Sequence, residues 1–502
     1  MRCPAVEDPR LIASSYARYL HDESGLRAGL PRRILFPSSL DELSSAVSEL
    51  AGREEPVTIS GARTGIVGGA VASGGESLVS LERFIFAPEV SFSDRFHAWT
   101  VKAAPGTTLD SLRETLGQIS GNHLFPVDPT EGGASLGGIV ATNASGARTL
   151  LYGPTRAWVA GLTLIFADGD TVKLTRGETV ARDEEILVNG RRLSLPSLRV
   201  PQTKNVVGYY TGPGVDAIDL FIGGEGTLAV VAGVELLLTE SPEAVCGVAA
   251  FLRGGQPVED LVADLKGDEI IHPRALEYMD SQSLSILAAL RAEVGPRSGL
   301  PKLPSDADGL LYVECAASSD SETGLCLLRI SDVLAAHGVP SERTWAATAR
   351  SELEEIGAMR HTLPERINAL IQQRRDEVPG LTKLATDCAV PDNALGEMMR
   401  AYRRVLGEAG LQNAVFGHIG NAHLHVNILP HSREELARAR EAAFTLARTA
   451  VSLGGSVSGE HGIGKLKKEL LGLQFTQLER DGLRSLKRQL DPHGILNPGV
   501  LW

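Results

Sequence analysis

The sequence predicts a mixed α+β protein of two or three domains. Its 502 residues exceed what a single hydrophobic core usually organises. The first half alternates short β-like runs with glycine-rich loops, and glycine supplies 54 of the residues. From Ser241 to about Leu453, β-like segments alternate with long amphipathic helical segments. We therefore expect a loop-rich first domain and a more regular second one.

The composition is typical of a globular enzyme. Hydrophobic residues make up 43% and charged residues 22% of the chain, and 49 basic against 62 acidic residues give a net charge of −13. This charge disfavours a nucleic-acid partner. The five cysteines form no Cys-x-x-Cys pair, which excludes an on-chain ferredoxin-type cluster and gives no disulfide framework. No stretch resembles a signal peptide or a membrane span, so we expect a cytoplasmic protein without a transmembrane segment.

The first elements are a helix and a strand that opens into a glycine-rich loop. Residues 38–51 carry a capping box of Ser39 and Glu42 and apolar residues at helical spacing. A β-like run over 56–60 leads into the loop 61–70, Gly-Ala-Arg-Thr-Gly-Ile-Val-Gly-Gly-Ala. Successive N–H groups of such a loop can point at an anion. The loop therefore favours a phosphate site over the alternative of a plain connection.

A second stretch of small polar residues predicts contact with a large ligand. A helix near Thr108–Leu116 precedes the segments 126–138 and 141–146, which are almost free of charge and cannot form a hydrophobic core by themselves. Chain of this composition between regular elements commonly wraps a ligand. We then expect strands at Val159–Ala167 and Ile218–Ile222.

A dinucleotide fingerprint after these strands is rejected. Residues 224–229 read Gly-Glu-Gly-Thr-Leu-Ala, which nominally matches the Rossmann glycine pattern. The following residues 230–238 are β-branched and short, so a strand is predicted where the motif requires a helix. Glycine spacing alone does not carry the assignment.

The second half predicts long helices around one surface loop. Residues 296–309 are rich in Pro, Ser and Asp and read as a loop. Residues 351–373 are helical, but Pro364 should kink the helix or restart it after Arg360. Residues 433–453 predict another long helix that ends at a glycine pair.

Three histidines in residues 417–427 form the strongest candidate site. The sequence Gly-His-Ile-Gly-Asn-Ala-His-Leu-His-Val-Asn predicts a strand with His423, His425 and Asn427 on one side and His418 on the approach. Neutral imidazoles are good zinc ligands. The alternative is a set of histidines hydrogen-bonded on a solvated sheet face. The clustering favours a metal.

Seven segments in order resemble the FAD-linked oxidase family of the vanillyl-alcohol-oxidase superfamily, in the D-lactate, glycolate and D-2-hydroxyglutarate dehydrogenase branch. They are residues 60–70, 135–146, 152–153, 219–228, 417–427, 459–464 and 491–499. The resemblance implies a PCMH-type FAD-binding domain of two subdomains, a ferredoxin-like substrate domain, and a C-terminal helical segment that returns to the FAD domain. The expected boundaries are an N-terminal segment 1–29, the FAD domain 30–240, the substrate domain 241–455 and the C-terminal segment 456–502.

The resemblance also implies which residues hold FAD. The backbone of Gly61, Ala62, Arg63, Thr64 and Gly65 would hold the pyrophosphate. The flavin and its ribityl chain would be lined by Ser135, Gly138, Thr142, Asn143 and Gly146, with Val231 near the adenine. Arg63 stands where relatives with covalent flavin carry histidine, so noncovalent FAD is expected.

The metal and the catalytic residues follow in the same way. Zinc, or manganese as the alternative, would bind His418, His425 and Glu460. The catalytic group would comprise His461 as the base, Arg360 as the carboxylate receptor, Lys383 and His423. His423 departs from the common family motif, which has asparagine at that position and aspartate at Asn421. His423 is therefore either an extra ligand or a group facing the substrate.

The expected activity is a flavoprotein dehydrogenase acting on CH–OH donors, similar to D-lactate dehydrogenase. A D-2-hydroxy acid, with D-lactate favoured, would lose a hydride to flavin N5. The alternatives are a glycolate or D-2-hydroxyglutarate dehydrogenase subunit, a non-redox enzyme resembling alkyl-dihydroxyacetone-phosphate synthase, and a flavin-free metallohydrolase. Electrons would leave to a separate quinone, cytochrome, electron-transfer flavoprotein or iron–sulfur subunit. A homodimer and peripheral attachment to a membrane are left open.

Overall fold

Two sheets organise the first domain of the computed structural model, which describes residues 3–27, 29–119, 121–254 and 257–502. The strands are β1 (Ala5–Val6), β2 (Arg33–Leu35), β3 (Val57–Ser60), β4 (Ser77–Ser80), β5 (Glu89–Ser93), β6 (Ala98–Ala103), β7 (His123–Leu124), β8 (Val159–Ile165), β9 (Thr171–Thr175), β10 (Glu185–Val188), β11 (Arg191–Ser194), β12 (Val230–Leu237) and β13 (Thr239–Glu240). The helices are α1 (Pro9–Ser14), α2 (Leu40–Gly52), α3 (Leu109–Ile119), α4 (Leu136–Ala141), α5 (Thr149–Tyr152) and α6 (Ala217–Phe221).

The two sheets have different character. One is four-stranded in the order β1-β2-β4-β3, and β4 pairs in parallel with both β2 and β3. The other is five-stranded and antiparallel in the order β5-β6-β12-β8-β9. The loop 61–70 follows β3, and β12 is the strand predicted after the rejected fingerprint. The first domain therefore has no helix where a Rossmann turn would need one at residues 230–237.

Helix α2 shows how local signals determine an element. The Ser39 hydroxyl accepts a hydrogen bond from the Glu42 N–H, which satisfies a donor that the first turn leaves free. The buried side chains of Leu43, Val47 and Leu50 give it one apolar face. The predicted helix is confirmed, although the Glu42 carboxylate accepts from Ser38 instead of closing the capping box on Ser39.

One predicted strand is wrong. Residues Ala217–Phe221 form the short helix α6, which overlaps the strand expected at Ile218–Ile222. The Asp216 carboxylate caps this helix by accepting from the Ile218 N–H. All the side chains of α6 are buried, so its apolar run has no periodicity that separates a strand from a helix.

A seven-stranded antiparallel sheet forms the second domain. Its strands are β14 (Ala244–Leu252), β15 (Pro273–Asp280), β16 (Gly309–Ala317), β17 (Thr344–Ala347), β18 (Leu384–Ala385), β19 (Asn413–His418) and β20 (His423–Ile428). Its helices are α7 (Val258–Gly267), α8 (Ser281–Val294), α9 (Asp320–Ala336), α10 (Arg350–Glu377), α11 (Leu395–Ala409) and α12 (Arg433–Ser452). The order is β17-β14-β16-β15-β19-β20-β18, and β14 to β17 with α7 and α9 have the connectivity and strand order of a split βαβ unit.

Helix α10 runs without interruption through Pro364. It spans Arg350–Glu377, so the predicted restart after Arg360 is wrong. Proline removes one backbone donor and costs several kcal/mol, about 3 in a helix interior. Buried side chains on both sides of Pro364 hold the two halves of the helix against one core. They are Ile356, Met359 and Leu363 before the proline and Ile367 and Ile371 after it. Tertiary packing therefore overrides the local breaker.

The C-terminal segment packs against the first domain. After α13 (Leu471–Gln474) and α14 (Gln477–Leu490), the chain runs alongside β3. The Val57 N–H donates to Ile495 O at 2.8 Å, and the Asn497 N–H donates to Val57 O at 2.8 Å. The Asn497 side chain also accepts from the Ile59 N–H at 2.7 Å and donates to Glu225 O at 2.8 Å. Among the described residues, no helix is long and apolar enough to cross a membrane.

Candidate metal and flavin site

A tight hairpin brings the three histidines together. β19 pairs with β20 so that His418 lies opposite His423, and a 3-10 turn at Ile419–Asn421 joins the strands. Gly417 has a φ of +126°, and a Cβ there would lie 2.9 Å from the His425 ring. The three histidine residues are at most 9% exposed. The predicted strand is confirmed, and the alternative of a solvated sheet face is wrong.

Glu460 joins the histidines at a spacing that suits one metal ion. Its Oε1 lies 3.3 Å from His418 Nε2 and 3.1 Å from His425 Nε2. Zinc bonds of about 2.0 Å in a tetrahedron separate two donor atoms by about 3.3 Å. Two overlapping groups of residues could each offer four donor atoms to a metal, and within each group these atoms lie within 4.8 Å of one another. One group is His418, His423, His425 and Glu460, and the other is Asp387, His425, Glu460 and His461. The three expected ligands therefore have a donor set and a spacing that fit the metal.

Glu277 orients His418 toward this centre. Its Oε1 lies 2.6 Å from His418 Nδ1, which leaves Nε2 free to face Glu460. Burial opposes ionisation of Glu277, but His418 and Arg360 outweigh it and lower the Glu277 pKa to about 2. Burial lowers the pKa of His418, but the negative charges of Glu277 and Glu460 raise it by more, so the pKa lies above its ordinary value. Glu277 was not predicted from the sequence.

The other oxygen of Glu460 faces the first domain. Lys204 Nζ lies 2.8 Å from Glu460 Oε2, and the Ser145 hydroxyl donates to the same oxygen at 3.2 Å. Burial raises the pKa of Glu460, but Lys204 and His418 hold it well below its ordinary value. Sequence reasoning missed Lys204 and Ser145. Both domains thus contribute to the site.

Asp387 holds the loop that carries Glu460 and His461. Its carboxylate accepts from the His461 N–H at 2.8 Å and the Glu460 N–H at 3.2 Å, and also from the Ser458 hydroxyl. His423 Nε2 donates to it at 2.8 Å. Sequence reasoning did not single out Asp387 as a site residue. A signal existed, because Asp387 is the one charged residue in the otherwise uncharged run 384–390, and such an acid is buried only with partners.

The proposed base and the ambiguous histidine have distinct surroundings. The His461 ring stacks on His425 at 4.9 Å, and its Nδ1 lies 3.4 Å from Asp387. Burial lowers the pKa of His461 to about 3 despite the opposing charge of Asp387. His423 is fully buried, and its Nδ1 has no hydrogen-bond partner among the described residues. That free nitrogen keeps the extra-ligand role of His423 open.

The two basic residues expected in the catalytic group, Arg360 and Lys383, differ in position. Arg360 Nε donates to Glu277 at 2.7 Å, and Arg360 Nη2 lies 3.4 Å from His418 Nε2. Arg360 is therefore part of the cluster. No hydrogen bond or ion pair joins the Lys383 ammonium to the cluster within the described chain. Burial, together with a smaller effect from the charge of Lys467, lowers the pKa of Lys383 to about 8.

The loop 61–70 has the free donors that a pyrophosphate needs. Arg63 has a φ of +65°, and the N–H groups of Arg63, Thr64 and Gly65 donate no hydrogen bond within the described residues. The Ala62 N–H donates to Ser135 Oγ at 3.3 Å. The Arg63 guanidinium turns back to Gly61 O and Glu82. Unpaired N–H groups with a left-handed residue among them fit an anion such as the FAD pyrophosphate.

The stretch expected to line the flavin uses its side chains internally. Thr142 Oγ1 donates to Gly138 O at 2.9 Å, and Asn143 Oδ1 accepts from the Arg156 N–H at 2.9 Å. A Cβ at Gly146 would lie 1.7 Å from Asp128 O, so the backbone packing there requires glycine. The role of this stretch in lining the flavin stays a prediction. Val231 lies in β12 opposite Leu164, and its role at the adenine stays a prediction.

Comparison with solved structures supports the fold. An alkyldihydroxyacetonephosphate synthase structure matches with a TM-score of 0.64 at 16% identity, covering 94% of this chain and 77% of that one. At this identity the likeness concerns the fold alone.

Relatives of similar length share about a quarter of the sequence. Over 96% of this chain and 92% of each relative, it is 26% identical to the glycolate oxidase subunit GlcD of Bacillus subtilis and 28% identical to a D-lactate dehydrogenase of Anaerostipes hadrus. It is also 28% identical to a D-2-hydroxyglutarate dehydrogenase of Xanthomonas citri, over 94% of this chain and 89% of that one.

Two family models cover most of the chain. Residues 31–175 match the FAD binding domain, and residues 242–501 match the C-terminal domain of FAD linked oxidases. The second match alone spans more than half of the sequence and contains the histidine hairpin, Arg360 and Glu460. The chain therefore belongs to the FAD-linked oxidase family.

Proposed function

We propose that this protein is an FAD-dependent dehydrogenase that oxidises a D-2-hydroxy acid to the 2-oxo acid with the help of a divalent metal. The observation that carries the proposal is the meeting of His418, His425 and Glu460 beside the Arg360 guanidinium. A hydroxyl and a carboxylate on adjacent carbons match a metal and a guanidinium that lie side by side. The names of the relatives point the same way, since glycolate, D-lactate and D-2-hydroxyglutarate are all 2-hydroxy acids.

Arg360 binds the substrate carboxylate in this proposal. Glu277 fixes the guanidinium through Nε at 2.7 Å, which directs Nη2 toward the histidines. Its remaining donors can make the paired hydrogen bonds that a carboxylate prefers. Lys383 would add a second positive charge, and a bound carboxylate would raise its lowered pKa.

His418, His425 and Glu460 would hold the metal, zinc or manganese. When bound there, the metal would supply Lewis-acid polarisation of the substrate hydroxyl. The residues around these ligands fix their orientation in advance. Glu277 sets the His418 ring, and Asp387 sets the backbone at Glu460 and His461.

His461 takes the hydroxyl proton in this proposal. Its lowered pKa keeps the imidazole neutral at physiological pH, which is the form that can accept a proton. The negative charge of a bound substrate would raise that pKa toward the working range. FAD, when bound noncovalently by the first domain, would accept the hydride from C2. A separate protein or quinone would then take the electrons.

Anaerobic reduction by substrate tests this function. The purified protein should contain FAD and lose its yellow colour when mixed with a D-2-hydroxy acid in the absence of oxygen. His461→Ala should keep the flavin and lose most of the reduction rate, because general-base catalysis is typically worth 10²- to 10⁴-fold. Rapid reduction in this variant would remove His461 from the mechanism. A protein whose flavin stays oxidised with every 2-hydroxy acid would instead support the non-redox alternative.

A further inference from the structure

A large cavity adjoins the proposed site on the far side of Arg360 and Glu277. It measures about 790 Å³ and lies between the second-domain sheet and helix α10. Of its lining residues, only Asp128, Ala147 and Arg148 belong to the first domain. This lining distinguishes it from the flavin region that the first domain would provide. Its volume is within the range of ligand pockets, about 300–1,000 Å³, and much larger than a three-carbon acid requires.

Arg360 connects this cavity to the proposed metal centre. The guanidinium lines the cavity, and its Nη2 lies 3.4 Å from His418 Nε2. Glu277 also lines the cavity and contacts His418. A substrate whose carboxylate reaches Arg360 would therefore have the cavity available for the rest of its carbon chain.

Besides Arg360, two arginines offer unused hydrogen-bond donors to the cavity. Arg274 is 6% exposed, and it donates through Nε to Glu314 at 2.6 Å while its two terminal nitrogens donate to no described residue. Arg148 donates to described residues through Nε and Nη1, which leaves Nη2 without a described partner. A polar occupant can accept hydrogen bonds from these nitrogens, whereas an apolar occupant would only separate them from water.

The same wall offers acceptors and an excess of negative charge. Arg148 bonds Asp128 at 2.9 Å, and Glu314 accepts from Arg148, Arg274 and Tyr312. Each carboxylate has about four acceptor positions, so capacity remains on all of them. The lining contains four arginines and six acidic residues, a formal charge of 4 − 6 = −2. A second carboxylate on the ligand would add to this negative charge.

We propose that this cavity binds the side chain of the substrate, and that the substrate is a longer D-2-hydroxy acid bearing further hydroxyl groups. A hydroxyl both donates and accepts, so it satisfies the free guanidinium nitrogens and the carboxylates together. A methyl group satisfies neither. This inference rests on the proposed function, and the reaction stays the same: C2 loses a hydride to FAD, the 2-hydroxyl loses its proton to His461, and the side chain is unchanged. The favoured D-lactate of the sequence prediction becomes a poor substrate.

A panel of four acids on the wild-type holoenzyme tests the inference. D-lactate and D-glycerate differ by one hydroxyl, D-gluconate extends the hydroxylated chain, and D-2-hydroxyglutarate ends in a carboxylate. We expect kcat/KM for anaerobic flavin reduction to rise from lactate to glycerate to gluconate by at least about tenfold overall, because unpaired polar groups penalise the analogue that lacks a hydroxyl. Lactate or hydroxyglutarate as the best substrate overturns the inference and leaves the proposed function standing. No reduction by any acid overturns the proposed function.

Two arginine variants locate the effect. Arg274→Met should lower the ratio of gluconate to lactate kcat/KM about tenfold, mainly through KM, because it removes donors that meet only the longer side chain. Arg192→Met is the matched control, since the Arg192 side chain is 75% exposed on β11 and, among the described residues, forms an ion pair with Glu185 alone. An unchanged ratio in a folded Arg274→Met protein overturns the inference. If that variant does not fold, the wild-type panel decides.

Discussion

Replacing Glu277 by Gln should weaken metal binding although Glu277 is not a proposed ligand. The carboxylate is 5% exposed, lies 2.6 Å from His418 Nδ1 and pairs with Arg360 at 2.7 Å. Gln keeps the size and one acceptor but removes the negative charge. His418 then becomes a less basic ligand, and the Arg360 charge beside the site loses its counter-charge.

The size of the effect follows from Coulomb's law. The hydrogen bond, the imidazole ring and a metal–nitrogen bond of about 2 Å together put the carboxylate charge about 6.5 Å from an ion at His418 Nε2. At an effective dielectric constant of about 20, removing the Glu277 charge costs a divalent ion up to about 5 kcal/mol of electrostatic attraction. If the ligands neutralise half of the ion's charge, the cost is about 2.5 kcal/mol. The lower figure corresponds to roughly 70-fold in affinity. It agrees with the 10- to 100-fold range seen for such partners.

Competition with a chromophoric chelator measures this affinity in the FAD-loaded protein. Glu55→Gln is a suitable control, because Glu55 is also 5% exposed and paired with an arginine, Arg33, but lies in the first domain, between α2 and β3. Loss of the pair with Arg360 also costs stability, so melting curves should accompany the titration. An affinity for zinc within threefold of wild type in folded Glu277→Gln, or an equal loss in Glu55→Gln, would refute the reasoning.

Two further changes have defined directions. Lys204→Met should tighten metal binding by about tenfold or more, because the ammonium 2.8 Å from Glu460 competes with the ion for that carboxylate; the same chelator titration measures it, and weaker binding would contradict it. Burial raises the pKa of Glu225 from 4.5 to about 7, although the Ile463 and Gly464 N–H groups lower it. Because the folded protein binds this proton more tightly than the unfolded chain does, the protonated carboxyl stabilises the fold. This stabilisation is fully present below about pH 4.5 and is lost as the pH rises through 7. Glu225→Gln resembles the protonated form. Its free energy of unfolding should therefore exceed that of wild type by up to about 3 kcal/mol at pH 8 and approach it at pH 5, as urea unfolding can show. The opposite trend would exclude Glu225 as the titrating group.

Elements with a strong local signal could be predicted from the sequence. β20 alternates polar and apolar residues, and α12 begins where the Ser432 hydroxyl accepts from the Glu435 N–H. The segment Ile218–Ile222 has no such signal, because it is short and buried on all sides. Pro364 carries a strong local signal that the core under α10 outweighs. The failures are thus places where tertiary packing decides the local conformation.

The residues of the candidate site also differ in whether the sequence could predict them. His418, His425, Glu460 and His461 occur in compact motifs and could be identified by residue type and by resemblance. Their supporting residues could not, because Glu277 lies 141 positions from His418 and Lys204 lies 256 positions from Glu460. Only the folded sheet and the contact between the domains bring these charges together.

Residues 495–497 pair with β3, so the first domain cannot complete its hydrogen bonds before the second domain has been translated. Asn497 bonds to Ile59 across 438 positions, and the other strands of both first-domain sheets lie before residue 240. Domains usually fold one after another as they leave the ribosome. Here the backbone of Val57 gains its partners Ile495 and Asn497 only after the second domain has been translated. The nascent first domain therefore lacks these hydrogen bonds while the second domain is being made.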